Sequence, residues 1–381
     1  MNAVLVSLLV NFATLLILGA VLYAAPSPLL NPKAVPFGVR VPPDKADSPE
    51  VGEQRRRYRA LLAPIAVVIT LASLVLGAVL NSAVVGAVAA LLLCAAAGTL
   101  WLSAHRALAR AKEQGNWYEQ VRQGAVMDTS LRTDPVRLPW LWVVPSLVVL
   151  AATAAAGAFA YPDLPATMSL PERTANGTAY RDVTTTFWSA FSLVFVQLGV
   201  TVTVLGTVAA VLRARPDLDV SRPRTSVARH RRYLALTARA LLGVGALLNL
   251  MLLGLSAMMW GDSRSGTVLS LVVGVPLLVA VVGSLLVVLR AAPSGGRTMI
   301  GATPGAEAEE NTGLVARDDD RHWRAAGTMY VNSDDPAVLV PKRVGMGWTV
   351  NLANPRFLIG SGVVLVLGLA ATVVSLTVGF G

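Results

Sequence analysis

Apolar residues fall in eight long blocks, at 3–25, 61–80, 83–103, 139–161, 187–212, 234–260, 267–289 and 357–380. Each approaches or exceeds the roughly 20 residues a helix needs to cross the hydrocarbon core of a bilayer. The pattern predicts an all-α polytopic membrane protein with eight transmembrane helices. Only Asn81-Ser82 separates the second block from the third. One helix over both would be roughly 64 Å long at 1.5 Å per residue, about twice the core, so a tight helical hairpin is expected. The first block has no Lys or Arg before it, unlike a secretory signal peptide, and reads as a span.

The polar segments between the blocks differ in kind. Pro36-Phe37-Gly38-Val39-Arg40-Val41-Pro42-Pro43 is held extended by its prolines and alternates apolar side chains around Arg40, as a segment docked on protein would. Glu53 to Tyr58, with Arg55-Arg56-Arg57, leads into the second span as a basic collar. The third helix is expected to continue through Ala104 to Gln123, with Trp117 and Tyr118 as interface anchors and a turn at Asp128 to Pro135. Residues 293–320 are rich in Gly, Ala and Glu and end in Asp318-Asp319-Asp320, which reads as a flexible, solvated acidic linker. Strands are expected at 328–332, 337–343 and 348–352, separated by Ser333-Asp334-Asp335-Pro336 and Gly345-Met346-Gly347. Such a three-stranded β meander has little core of its own, and should pack on the helix ends and on Phe37-Gly38-Val39-Arg40. The chain thus divides into a seven-helix membrane domain (1–290), a linker (291–327), a small β segment (328–356) and an eighth span (357–381).

Composition narrows the class. Hydrophobic residues are 54% and charged residues 14% of the 381, against about 25% charged in a soluble domain. The net charge is +10, but a nucleic-acid surface needs Lys and Arg far denser than this. Seven, six, seven and eight basic residues lie in 26–60, 104–138, 213–233 and 290–356, whereas the intervening connections hold Arg173, Arg181 and Arg264. By the positive-inside rule the basic loops are cytoplasmic and both termini are outside. The high charge then records orientation, with anionic lipid at the cytoplasmic face as the partner.

The spans carry little chemistry. Arg239, near the cytoplasmic end of the sixth, reads as a side chain snorkelling to the headgroups; the sharper alternative is contact with a substrate or partner. No span holds Asp, Glu, Lys or His, which argues against a proton relay. Asn11, Gln197 and Asn249 read as interhelical hydrogen-bonding groups. Pro276 is the expected kink. Cys94 reads as a buried packing residue, and His230, in Arg229-His230-Arg231-Arg232, as part of a solvated basic cluster. No HExxH, GxSxG or phosphate-binding loop occurs. No catalytic, cofactor or metal residue is assigned, and the chain is expected not to be an enzyme.

Three motifs resemble a known group. Tyr161-Pro162-x-Leu164-Pro165 resembles the outer loop of SdpI-like membrane proteins, and Phe37-Gly38-Val39-Arg40-Val41-Pro42 resembles their cytoplasmic Phe-Gly-Ile-Arg-Thr-Pro motif. Tyr330-x-Asn332-x-Asp334-Asp335-Pro336, Val340-Pro341-Lys342-Arg343 and Gly345-x-Gly347-Trp348-Thr349-x-Asn351 resemble a short cytoplasmic domain of unknown function that accompanies it. The family's outer loop usually carries a His after Leu-Pro; Met168-Ser169-Leu170-Pro171-Glu172 has none. The resemblance implies a multi-pass protein of a bacterial plasma membrane. It also implies immunity to a secreted peptide or signalling through a cytoplasmic transcriptional regulator. Together with Arg239, these motif residues are the interaction candidates. The alternative is a transporter or permease for an apolar or lipid-like molecule that uses no buried carboxylate. A membrane enzyme would need converging polar groups, and the spans offer none.

Overall fold

The structure is a computed structural model that describes residues 3–28, 30–80, 82, 84–124, 130–174, 177–216, 218–291, 312–345 and 347–362. Its helices are α1 (Ala3–Ala24), α2 (Pro49–Leu80), α3 (Val84–Gln114), α4 (Ser130–Thr133), α5 (Val144–Ala160), α6 (Phe187–Ala190), α7 (Ser192–Leu212), α8 (Pro223–Trp260) and α9 (Gly266–Ala291). Residues 355–362 are also helical. Among the described residues six helical stretches are long and apolar enough to cross a membrane: α2, α3, Trp140–Asp163 around α5, α7, α8 and Gly266–Ser284 of α9. In α1 the apolar stretch is shorter, Leu8–Ala24. The expected eighth span lies outside the described residues beyond 362, as do residues 292–311 of the expected linker.

The helices pack mainly in two groups. Helices α1, α2 and α3 enclose Leu62, Leu93, Ala97, Trp101 and Leu108, and α5, α7 and α8 enclose Val143, Val208, Ala238 and Leu242. Helix α9 lies along α8. Helix α2 stops at Leu80 and α3 starts at Val84, so the expected tight hairpin is formed. Both helices run unbroken through more than 30 residues, and α8 through 38. At 1.5 Å per residue α8 is roughly 57 Å long, nearly twice a bilayer core. The arginine-bearing ends of α2 and α8, and the lysine-bearing end of α3, therefore project beyond the apolar zone at one end of the molecule.

Exposed aromatics mark the limits of that zone. Trp140 and Trp142 stand exposed just before α5, and Tyr161, Phe187 and Trp188 at its far end. From 140 to 161 is roughly 32 Å of helix, the depth between two interfacial aromatic belts. Inside it, polar groups pair across helices. The Gln197 amide N–H donates to Thr153 Oγ1 (3.0 Å) and to the Asn249 carbonyl (2.8 Å), and the Asn249 amide donates to Thr201 Oγ1 (2.9 Å). Gln197 and Asn249 thus join α5, α7 and α8, as their mid-span positions predict.

Three expectations are corrected, and the outer loop shows a structure on which the sequence was silent. Cys94 is exposed on α3, not buried. His230 is buried, not solvated, because it faces inward from α8. Helix α3 ends at Gln114, not 123, because Asn116 adopts left-handed backbone (φ 45°) that cannot continue a helix. The expected outer loop contains a hairpin, β2 (Thr167–Thr174) and β3 (Gly177–Thr184), in continuous antiparallel register.

The expected meander takes another form. Strand β1 (Gln123–Gly124) pairs in parallel with β4 (Val315–Ala316), β5 (Trp323–Arg324) with β6 (Met329–Tyr330), and β7 (Leu339–Pro341) with β8 (Trp348–Val350). So the second and third expected strands pair antiparallel, whereas the first pairs with a preceding strand. Its backbone meets the third at one parallel bridge, Tyr330 to Asn351. A meander needs the first strand beside the second. Here the Asn351 side chain fills that place, taking the Asn332 N–H (3.0 Å) and donating to the carbonyls of Asn332 (2.7 Å) and Asp335 (3.1 Å).

Candidate functional site

The arginine-rich end gathers residues 30–46, 115–124, 213–216, 218–222, 312–345 and 347–354 around one interlock. Phe37 (φ 51°) and Gly38 (φ 78°) form a left-handed pair, and Ala326 (φ 55°) and Gly327 (φ 84°) form another. The two pairs face each other so closely that a Cβ on Gly38 would run into the Ala326 carbonyl, and one on Gly327 would lie 2.7 Å from Gly38 Cα. Only glycine permits this approach and backbone. The Phe37 ring is buried against Tyr58 and Trp101, with centroids 5.8 and 4.8 Å away. His105 Nδ1–H donates to the Phe37 carbonyl (2.8 Å), and Trp101 Nε1–H to the Ala326 carbonyl (3.4 Å). The Phe37-Gly38-Val39-Arg40 segment is therefore docked, as expected, though it turns at 36–38 instead of staying extended. Pro42 is extended and buried behind it.

Beside the interlock lies an ion cluster. Arg343, whose side chain is 2% exposed, donates to the Gly38 carbonyl (3.1 Å) and to the carboxylates of Asp319 and Asp320, and its guanidinium lies over the Trp323 ring. Arg40 Nε–H donates to Asp319 (2.8 Å) and its backbone N–H to Asp320 (3.1 Å). Lys112 Nζ pairs with Asp318 (2.8 Å) and Asp320 (2.6 Å). The Asp318–Asp320 run is thus an ordered partner of three cations, which corrects its reading as solvated linker. Burial works against ionising Asp319, but Arg40 and Arg343 outweigh it and hold its carboxyl below the usual carboxylate range. Burial also pushes the Tyr118 hydroxyl above its usual value, in the same neighbourhood.

The remaining candidates organise the 328–354 segment. Tyr330 O–H donates to Asp335 (3.0 Å), which also takes Arg215 (2.7 Å), and the Asn332 amide donates to Tyr330 Oη (3.1 Å). The Asp334 N–H donates to Asn332 Oδ1 (3.0 Å), and the Asn354 amide N–H donates to the Pro336 carbonyl (3.0 Å). Pro341 pairs with Trp348, Lys342 N–H with the Gly347 carbonyl, and Gly345 N–H with Asn31 Oδ1 (2.6 Å). Gly345 and Gly347 take the positive φ that this turn needs. The Trp348 ring stacks on Tyr233 of α8 (5.2 Å), and Arg215 N–H donates to the Leu339 carbonyl (2.9 Å). The segment thereby touches both helix groups.

Leu164 and Pro165 lie at the other end, where Leu164 packs with Met168, Ala190 and Met259 and the Pro165 carbonyl accepts from Thr185. There Ser169 bonds Asp262, and Trp260 Nε1–H donates to the Ala190 carbonyl (3.0 Å). Arg239 stands exposed on α8. Sequence reasoning missed Trp101, His105, Lys112, Arg215 and Tyr233, and it favoured Lys342 over Arg343. The signal for Arg343 was the Asp run: three adjacent carboxylates before a β segment need cations, and Lys342 is exposed while its neighbour is buried.

Fold and site define a multi-pass membrane protein with an ordered extramembrane segment clasped to one end of its helices. Residues 333–357 match a family of unknown function (DUF5808), covering the turn, β7, β8 and the Asn351 and Asn354 brackets. No curated protein and no solved structure matches the chain.

Proposed function

We propose that the chain is a non-enzymatic membrane protein of immunity or signalling type in a bacterial plasma membrane. It has eight spans with both termini outside, its β2–β3 hairpin outside and its 312–354 segment in the cytoplasm. One observation carries the reading. Helix α8 is one continuous rod whose C-terminal end holds the hairpin, through Met168 on Met259 and Ser169 on Asp262, while its N-terminal part stacks Tyr233 on Trp348 of the basic-end segment. A rod gripped at both ends can transmit a displacement of one to the other. The motif resemblance to SdpI-like proteins supports a secreted, envelope-active peptide as the stimulus and a cytoplasmic transcriptional regulator as the respondent. All the packing described between non-helical segments joins segments of the same proposed side, which supports the alternating topology. Deleting the gene should raise sensitivity to envelope-active peptides, and a cytosolic regulator should co-purify with the protein. Unchanged sensitivity with no regulator bound would overturn the reading.

A second reading, transport of an apolar or lipid-like molecule, is favoured by an apolar cleft of about 240 Å³ between α8 and α9, lined by Leu250, Leu253, Gly254, Val272 and Pro276. A protein whose activity survives filling the cleft from the exposed Leu250, by Leu250→Trp, would count against that reading.

A further inference from the structure

The short strands of the 312–354 segment stand in the order β5, β6, β8, β7. Strand β5 pairs with β6, the bridge from Tyr330 to Asn351 joins β6 to β8, and β8 pairs with β7. Successive side chains on a strand point to opposite faces. Tyr330 and Asn351 point inward and are buried, so Met329, Val331 and Leu352 point outward, where they are 49%, 39% and 36% exposed. The Leu352 N–H donates to the Tyr330 carbonyl (3.0 Å), which places Leu352 beside Met329 and Val331. Apolar side chains gathered on one outward face, unlike single ones scattered over a surface, mark a place of interaction.

Its position says what covers this face. Trp348 precedes Leu352 by four residues and so lies on the same side of the strand. The Trp348 ring stacks on Tyr233 of α8 (5.2 Å), the residue just before the sixth apolar block. Five residues after Leu352 the chain enters the eighth apolar block at Phe357, and Leu358 and Ile359 are exposed at its start. The face therefore lies between two points where the chain meets the limit of the apolar zone. Exposed cations flank it: Arg324 stands opposite Met329 in the ladder, and Arg356 follows Leu352 by four residues. Apolar side chains flanked by arginine match the boundary between acyl chains and anionic headgroups. We infer that this face is a lipid-contact surface. Met329, Val331 and Leu352 enter the acyl boundary of the cytoplasmic leaflet, and Arg324 and Arg356 meet its anionic headgroups. The inference rests on the membrane reading above and deepens its lipid partner from a diffuse surface to five residues.

The test uses the full Cys94→Ser chain in nanodiscs containing phosphatidylglycerol, with a spin label on Met329→Cys, Val331→Cys or Leu352→Cys in turn. All three positions are exposed, so a label there leaves the fold intact, and an unchanged thermal midpoint checks this. Collisions with oxygen, which concentrates in lipid, are compared with collisions with a neutral nickel chelate, which stays in water. At least two of the three labels should meet oxygen severalfold more often than nickel. Nickel ahead at two of them would show a face open to water, free for a soluble partner, and would overturn the inference. Low collision with both reagents at two of them would show that a second copy covers the face, and would overturn it too. A label on Leu91→Cys, from an exposed position within the apolar zone of α3, separates the two readings. Oxygen ahead there but not at the face would sink the lipid face alone, whereas nickel ahead at both would sink the membrane reading. Arg324→Gln/Arg356→Gln should roughly halve the oxygen excess at Val331→Cys; an unchanged excess would overturn the part given to the two arginines.

Discussion

At the scale of single residues, Arg343 and Gly38 decide whether the 312–354 segment stays docked. Replacing Arg343 by Met removes the cation shared by Asp319 and Asp320, and breaking a buried pair from one side typically destabilises by about 3–5 kcal/mol. Hydrogen exchange should then rise across 312–345 while α5 and α7 stay protected, and adding Asp319→Asn should restore part of the protection. Gly38→Ala should undock the same segment, since it meets both a left-handed φ and the Ala326 carbonyl. The pH response follows from Asp319, whose folded carboxyl is held low. A depressed carboxylate stabilises above its unfolded pKa and loses that contribution as pH falls through the folded value. A fluorine label on Trp323 should therefore report one environment from pH 8 to 5 and a changed one below about pH 4. The docking of the Phe37 loop was legible in the sequence because prolines and alternating apolar side chains announce a buried segment, but its turn at 36–38 was not. The Asp run was not, because its cations come from positions 40, 112 and 343, which only the fold brings together.

At the scale of elements, the long apolar blocks translate directly into helices, because a 20-residue apolar run has one way to satisfy its backbone in lipid. The short strands do not translate as well. With two or three residues each, their pairing is set by side chains such as Asn351 and Tyr330, not by a period-2 pattern, so the predicted meander became two ribbons and a bridge. Hairpin β2–β3 was hidden because its strands, TMSLPERT and GTAYRDVT, carry no long apolar alternation. The α5–α7–α8 contact is held by the Gln197, Thr153, Thr201 and Asn249 bonds. Gln197→Leu or Asn249→Leu should lower stability in detergent by about 0.6–2 kcal/mol, the range for interhelical bonds in membranes. Thermal midpoints measured beside Gln→Leu at exposed Gln120 provide the control.

At the scale of the whole molecule, α8 connects two ends that the basic-residue pattern assigns to opposite sides of the membrane. In a Cys94→Ser background, Asp182→Cys should react with a membrane-impermeant maleimide in intact cells, and Asp334→Cys only in inverted vesicles. Labelling of both from the same side would reverse the topology. The central claim is that the hairpin and the 312–354 segment are mechanically coupled. Its most direct test is hydrogen exchange on the full chain in nanodiscs after loosening the outer grip with Met168→Ala and Met259→Ala. The coupled molecule predicts faster exchange at 338–351, at least 79 residues away in sequence from the substituted sites, with the α1–α3 group unchanged. Exchange at 338–351 identical to wild type, with the hairpin itself loosened, would contradict it.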